Sequence, residues 1–103
     1  MSAFQKMIDA NFRIFGTAAA YRRAADASIP VRIILRMPEE VTGRGRAGVL
    51  VEGTRADIRR SEIAKPEKGD IMEFDGVSAI IAAAPELDGE RLVWSLPLGR
   101  LPS

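Results

Sequence analysis

The chain has 103 residues, a formal net charge of +1, and neither cysteine nor histidine. One ordinary domain fits that length and a second does not, so any function comes from one small core and its surface. The two missing residue types remove disulfides, thiolate nucleophiles, and the commonest metal ligand and general base. Carboxylates and lysines remain, but the arrangements enzymes use most often are excluded, and a non-enzymatic protein without a cofactor is expected.

No stretch approaches the roughly 18 consecutive apolar residues that a membrane-spanning helix needs. The start of the chain lacks a basic region followed by an apolar signal core. A soluble protein made in the cytoplasm, with no membrane partner, is the expectation. Charge is unevenly spread: residues 1 to 60 hold eleven Lys/Arg against six Asp/Glu, and residues 61 to 103 hold four against eight, about +5 and −4. Such a split suits head-to-tail contact between identical copies, unless folding interleaves the charges.

In chain order, Phe4, Met7, Ile8, Phe12 and Phe15 recur at helical spacing, which predicts an amphipathic helix over residues 3 to 15. Ser2 and Gln5 are placed as a capping box and Gly16 as a C-terminal stop. The apolar stripe is expected to enter the core, the alternative being that it docks on a neighbouring subunit.

After Gly16 the period changes to two. In VRIILRM, Val31, Ile33, Leu35 and Met37 share one face, and Arg32, Ile34 and Arg36 the other. TAAAYRR before it is a candidate pairing strand. The segment 42 to 48, TGRGRAG, has three glycines, Arg44 and Arg46, and no large apolar anchor, so a mobile loop is expected. GVLVEG and ADIRR read as strands, and AKPEKGD as a turn.

In the last third, IMEF and VSAIIAA flank Asp75-Gly76, the strongest short-range hairpin signal a sequence carries. A second turn at ELDGE leads into RLVWSLPLG, where Leu92, Trp94 and Leu96 alternate. The fold expected is mainly β (α+β): a small antiparallel β-barrel or sandwich with an N-terminal amphipathic helix and a β meander over 56 to 97.

Asp70, Glu73 and Asp75 are close enough in sequence to suggest a cation site, but their spacing is not that of a calcium loop, and solvated turn residues are expected instead. The pairs Arg22-Arg23 and Arg59-Arg60 are read as solubilising, because neighbours on a strand point to opposite faces. Arg44 and Arg46 are candidates for a protein contact that orders on assembly, or for a phosphate contact. No glycine-rich phosphate loop, nucleophile elbow or metal-spaced cluster occurs.

From about Ala56 onward the layout resembles the head-tail joining (attachment, or stopper) proteins of lambda-like tailed bacteriophages. The run ADIRRSEIAKPEKGDIMEFDGVSAIIAAAPELDGERLVWSLPLGR carries the likeness, through Glu62, Ile63, Gly69, Asp70, Gly76, Gly89, Trp94, Leu98, Gly99 and Arg100. The N-terminal helix ahead of a loop-interrupted β domain is also similar. The resemblance implies a single-domain structural protein in the neck of a virion, capping the DNA-filled head. Its copies would form a homo-oligomeric ring around the DNA channel. The partners implied are a portal or adaptor protein, a tail terminator or tail tube protein, and double-stranded DNA that passes without sequence-specific binding.

On that footing Arg44, Arg46 and Arg100 are expected partner contacts, and Glu86, Asp88 and Glu90 are expected to face the channel, where acidic groups would not grip DNA. The Ala/Arg-rich style suits a prophage or gene transfer agent. The main rival is a small β-barrel that binds nucleic acid; a third reading is a carboxylate enzyme acting through Asp70 and Glu73.

Overall fold

The computed structural model describes residues 3–23, 25–38, 50 and 52–101. One helix, α1 (Ala3–Phe15), precedes seven strands: β1 (Thr17–Arg22), β2 (Ile29–Arg36), β3 (Arg55–Arg59), β4 (Ile71–Phe74), β5 (Val77–Ile81), β6 (Glu86–Leu87) and β7 (Val93–Arg100). The segment 42 to 48 with Arg44 and Arg46, and Ser2, which was expected to cap the helix, lie outside the described residues.

The strands run in the order β3-β2-β1-β4-β5-β7-β6, and an additional β3–β7 pairing closes six of them into an antiparallel barrel. Closure rests on β7, which is long enough to serve two neighbours at once. Its first half pairs with β3, Val93 opposite Arg59 through Pro97 opposite Arg55, and its last three residues pair with β5. The two-residue strand β6 adds to β7 outside the ring.

Alternation decides which side chains fill the barrel. Val31 and Ile33 of β2, Ala56 and Ile58 of β3, Met72 of β4, Ala79 and Ile81 of β5, and Leu96 of β7 are buried in one cluster, with Tyr21 of β1 among them. Burying an aliphatic side chain of this size contributes about 1.5–3 kcal/mol. Met37 was expected to share one strand face with Val31, Ile33 and Leu35. The strand ends one residue earlier, at Arg36, and Met37 is exposed.

The β4–β5 hairpin forms where Asp75-Gly76 marks it: Phe74 pairs with Val77, and the two turn residues have φ of 49° and 77°. Positive φ at both central positions is the primed turn whose twist matches the strands. A Cβ at Gly76 meets nothing within 4 Å, so a substitution there is opposed by backbone strain alone. Gly76→Val is expected to cost about 1–2 kcal/mol, read as a lowered urea midpoint with an unchanged slope. An unchanged midpoint would show that the turn tolerates another geometry.

Of GVLVEG, expected as a strand, Leu50, Glu52 and Gly53 are among the described residues. Leu50 has no regular structure, and Glu52 and Gly53 form a turn. Gly53 has φ of 90° and sits against the Pro38 ring, so β3 starts only at Arg55. No helix among the described residues is long and apolar enough to cross a membrane.

Candidate assembly surface

Helix α1 lies on the outside of the barrel and is held there by two arginines. At its C-terminus the last carbonyls have no partner within the helix. Gly16 N–H donates to Phe12 O at 2.9 Å, Arg32 Nε donates to Phe12 O at 2.8 Å, and Arg32 Nη2 donates to Gly16 O at 3.0 Å. A cation in this position also complements the negative end of the helix dipole.

Arg59, on β3, reaches the helix from its side. Its Nη1 meets Asp9 Oδ1 at 3.0 Å, its Nη2 meets Glu62 Oε2 at 3.0 Å, and its guanidinium lies 5.1 Å from the centre of the Phe12 ring. Arg59 was read as one of a solubilising pair. It is instead largely buried and joins α1, β3 and the turn after β3.

Phe12 is the one buried residue of α1. Phe4 and Met7 are each 53% exposed, Ile14 65% and Phe15 68%. The expectation that the stripe enters the core is therefore corrected. The barrel interior is already filled by strand residues, and only one border of the helix stripe touches the outer wall. The helix period marks which residues share a face, but not what that face meets.

Between α1 and the barrel wall runs an open groove of about 590 Å³. Phe4, Met7 and Ile8 line it from the helix, and Ile34, Leu87 and Val93 from the strands. Glu86, Asp88 and Glu90, expected on other grounds, all come together on it and all are exposed. Glu86 meets Arg55 Nη2 at 2.6 Å. Asp88 Oδ1 accepts from the Leu92 N–H at 2.8 Å and the Val93 N–H at 3.3 Å, holding the turn into β7. Glu90 makes no ion pair among the described residues. The sequence signal for this groove was Ile34, an apolar residue on the outward face of β2 between Arg32 and Arg36.

Arg100 is not part of that constellation. It ends β7 opposite Ala79 and borders a separate hollow with Leu50, Glu52, Leu98 and Gly99.

Asp70 departs from the solvated turn expected of it. It is 6% exposed, accepts a hydrogen bond from the Tyr21 hydroxyl and another from Glu67 N–H at 3.0 Å, and lies 3.4 Å from Arg23 Nε. Burial, followed by the hydrogen bond to Asp70, pushes the Tyr21 hydroxyl well above its usual range. Arg23, another of the four arginines read as solubilising, thus has a structural partner. Glu73 accepts from Ser78 Oγ at 3.2 Å, and Asp75 is fixed in its hairpin turn, so the three carboxylates do not converge. No cluster of three metal-ligating side chains occurs among the described residues.

A small closed barrel with a filled interior, and with Phe4, Met7, Ile14 and Phe15 exposed on the helix outside it, is built to contact other macromolecules. The class this defines is a structural or binding module. A family model for the phage head-tail attachment protein matches residues 1–98, and the chain belongs to that family. Comparison with curated proteins gave no match. Membership makes the chain a bacteriophage structural protein with a role in attaching head to tail.

Proposed function

We propose that this protein sits in the neck of the particle as a homo-oligomeric ring around the DNA channel, where it stops and caps the filled head and receives the tail. The observation that carries the reading is the family match across helix and barrel together, combined with an apolar helix face that the chain itself leaves uncovered. A ring needs two different faces on each copy. A portal or adaptor protein would be the head-side partner and a tail terminator or tube protein the tail-side partner. A prophage or gene transfer agent is the source that the residue usage suits.

Glu86, Asp88 and Glu90 were expected to line the channel. Because they border an apolar groove, they fit a seam between proteins better than the channel wall, which falls to other surfaces. Arg44, Arg46 and Arg100 remain proposed contacts for the head-side or tail-side partner. The nucleic-acid reading draws less support, since Arg32 and Arg59 commit their donors to α1 and the turn beside it.

Particles made without this protein should accumulate separate filled heads and tails, and the purified chain should restore joined particles when added back. Normal joining in its absence would end the proposal. In the same assay Arg44→Ala/Arg46→Ala is expected to lower joining about tenfold without altering the circular dichroism of the barrel, whereas joining at the wild-type level would remove that segment from the contact.

A further inference from the structure

We infer that the open groove beside the N-terminal half of α1 receives a segment of another virion protein, one whose apolar side chains are flanked by Lys or Arg. This rests on the joining role proposed above and adds the chemistry of the partner that meets this face.

The groove has apolar walls on both sides. Phe4 and Met7 stand on the helix and are exposed, while Ile34, Leu87 and Val93 line the barrel side and are half-buried. The strand residues that turn inward already fill the core, so the fold has no interior place for these outer side chains. A space of about 590 Å³ is in the size range of binding sites, but it lies open along a helix. That shape takes a length of chain better than an enclosed small molecule.

Charge selects among occupants. Four carboxylates line the groove, those of Asp57, Glu86, Asp88 and Glu90, against one cation, Arg36. Arg36 is taken by Asp57 at 2.5 Å, and Glu86 is met by Arg55, which is not a lining residue. Asp88 and Glu90 make no ion pair among the described residues. Both are exposed, and Arg91 in the same turn does not line the groove. Two uncompensated carboxylates beside apolar walls complement cations set beside apolar anchors, and they repel a phosphate backbone.

A sister copy does not present that pattern on its helix. The exposed apolar residues of α1 are Phe4, Met7, Ile14 and Phe15. At 100° per residue, Lys6 and Arg13 lie roughly 130–150° around the helix from the middle of that stripe. A second α1 laid into the groove by its apolar face would turn both cations away from Asp88 and Glu90. The fitting occupant is an amphipathic segment with cations on the border of its apolar face, carried by a different protein.

The test adds the purified full chain, at limiting concentration, to separate filled heads and tails. Photoreactive p-benzoylphenylalanine stands in place of Met7, of Asn11 on the same groove, or of exposed Lys68, which does not line it. After irradiation, the Met7 and Asn11 probes are expected to give an adduct with the same other virion protein, within apolar sequence bordered by Lys or Arg. The Lys68 probe should not give that adduct. Adding Asp88→Asn/Glu90→Gln should lower the adduct about fivefold at an unchanged melting temperature, because the amide still offers an acceptor to the Leu92 and Val93 N–H groups. Glu90→Lys should be rescued by reversing the cations of the crosslinked segment.

An adduct with a second copy of the chain, or with DNA, overturns the inference. So does a crosslinked segment without Lys or Arg, or a yield indifferent to the loss of both carboxylates. If the Met7 and Asn11 probes themselves block joining, Asp88→Asn/Glu90→Gln is read alone: a joining rate about fivefold lower supports the contact, and the wild-type rate overturns it. Heads and tails that join without an adduct from either groove probe remove this contact and leave the joining role standing. Heads and tails that join equally well without the chain sink the joining role, and the groove's partner with it.

Discussion

Asp70→Ala is expected to destabilise the fold by about 3 kcal/mol, which for a domain of this size lowers the melting temperature by roughly 15 °C. The carboxylate is buried and serves the Tyr21 hydroxyl, the Glu67 N–H and Arg23 at once. Removing it leaves a buried hydroxyl and a backbone donor without their acceptor, which costs more than the net value of the bonds themselves. Arg23 is about half exposed and can recover water, which keeps the loss at the lower end of what a broken buried pair costs.

Tyr21→Phe should cost less, about 1.5 kcal/mol, because it removes one donor and leaves Asp70 its other partners. The pH dependence separates this bond from simple packing. The folded state holds the Tyr21 proton above the ordinary tyrosine value of about 10. The stabilisation from that proton is therefore complete below pH ~10 and declines as pH rises beyond it, where the unfolded chain ionises first. In urea titrations from pH 8 to 11, the advantage of wild type over Tyr21→Phe should shrink above pH 10. A constant advantage would show that the hydroxyl and Asp70 are not coupled.

Arg59→Ala is expected to release α1 while leaving the barrel folded. The side chain contributes two charge-assisted bonds and a contact with the Phe12 ring, about 2–3 kcal/mol in combination. An isolated 13-residue helix is marginal in water, so without this anchor it should fray. Hydrogen exchange should show faster amide exchange over residues 3–15 with little change in β4 and β5. Arg59→Lys keeps the charge but not the planar fork, and should fall between. Full protection of α1 in the alanine variant would assign its docking to Arg32 alone.

Features written locally were legible in the sequence. The β4–β5 hairpin follows from Asp75-Gly76, and the inward faces of β2 and β7 follow from alternation. What was not legible depends on residues far apart in the chain. Tyr21 and Asp70 are 49 positions apart, and from its own neighbours Asp70 is simply an acidic residue in a charged turn. The β3–β7 pairing that completes the barrel is a long-range register that no local period encodes. The groove was missed for a related reason. Phe4 and Met7 look like core residues in sequence, and only the filled barrel shows that no interior place is left for them. At Glu52 and Gly53 the strand expectation failed because apolar alternation says nothing of the positive φ at Gly53.

Because the sheet returns on itself, each of the six barrel strands pairs with two neighbours, and among the described residues the strand outside the ring, β6, is two residues long. Closure leaves neighbouring molecules little ladder to extend along the described strands, and a free ladder is the usual route from crowding to fibres. Recognition of any partner, sister copies included, must be written in side chains, so that the number of molecules in an assembly is governed by the angle at which two rigid walls meet.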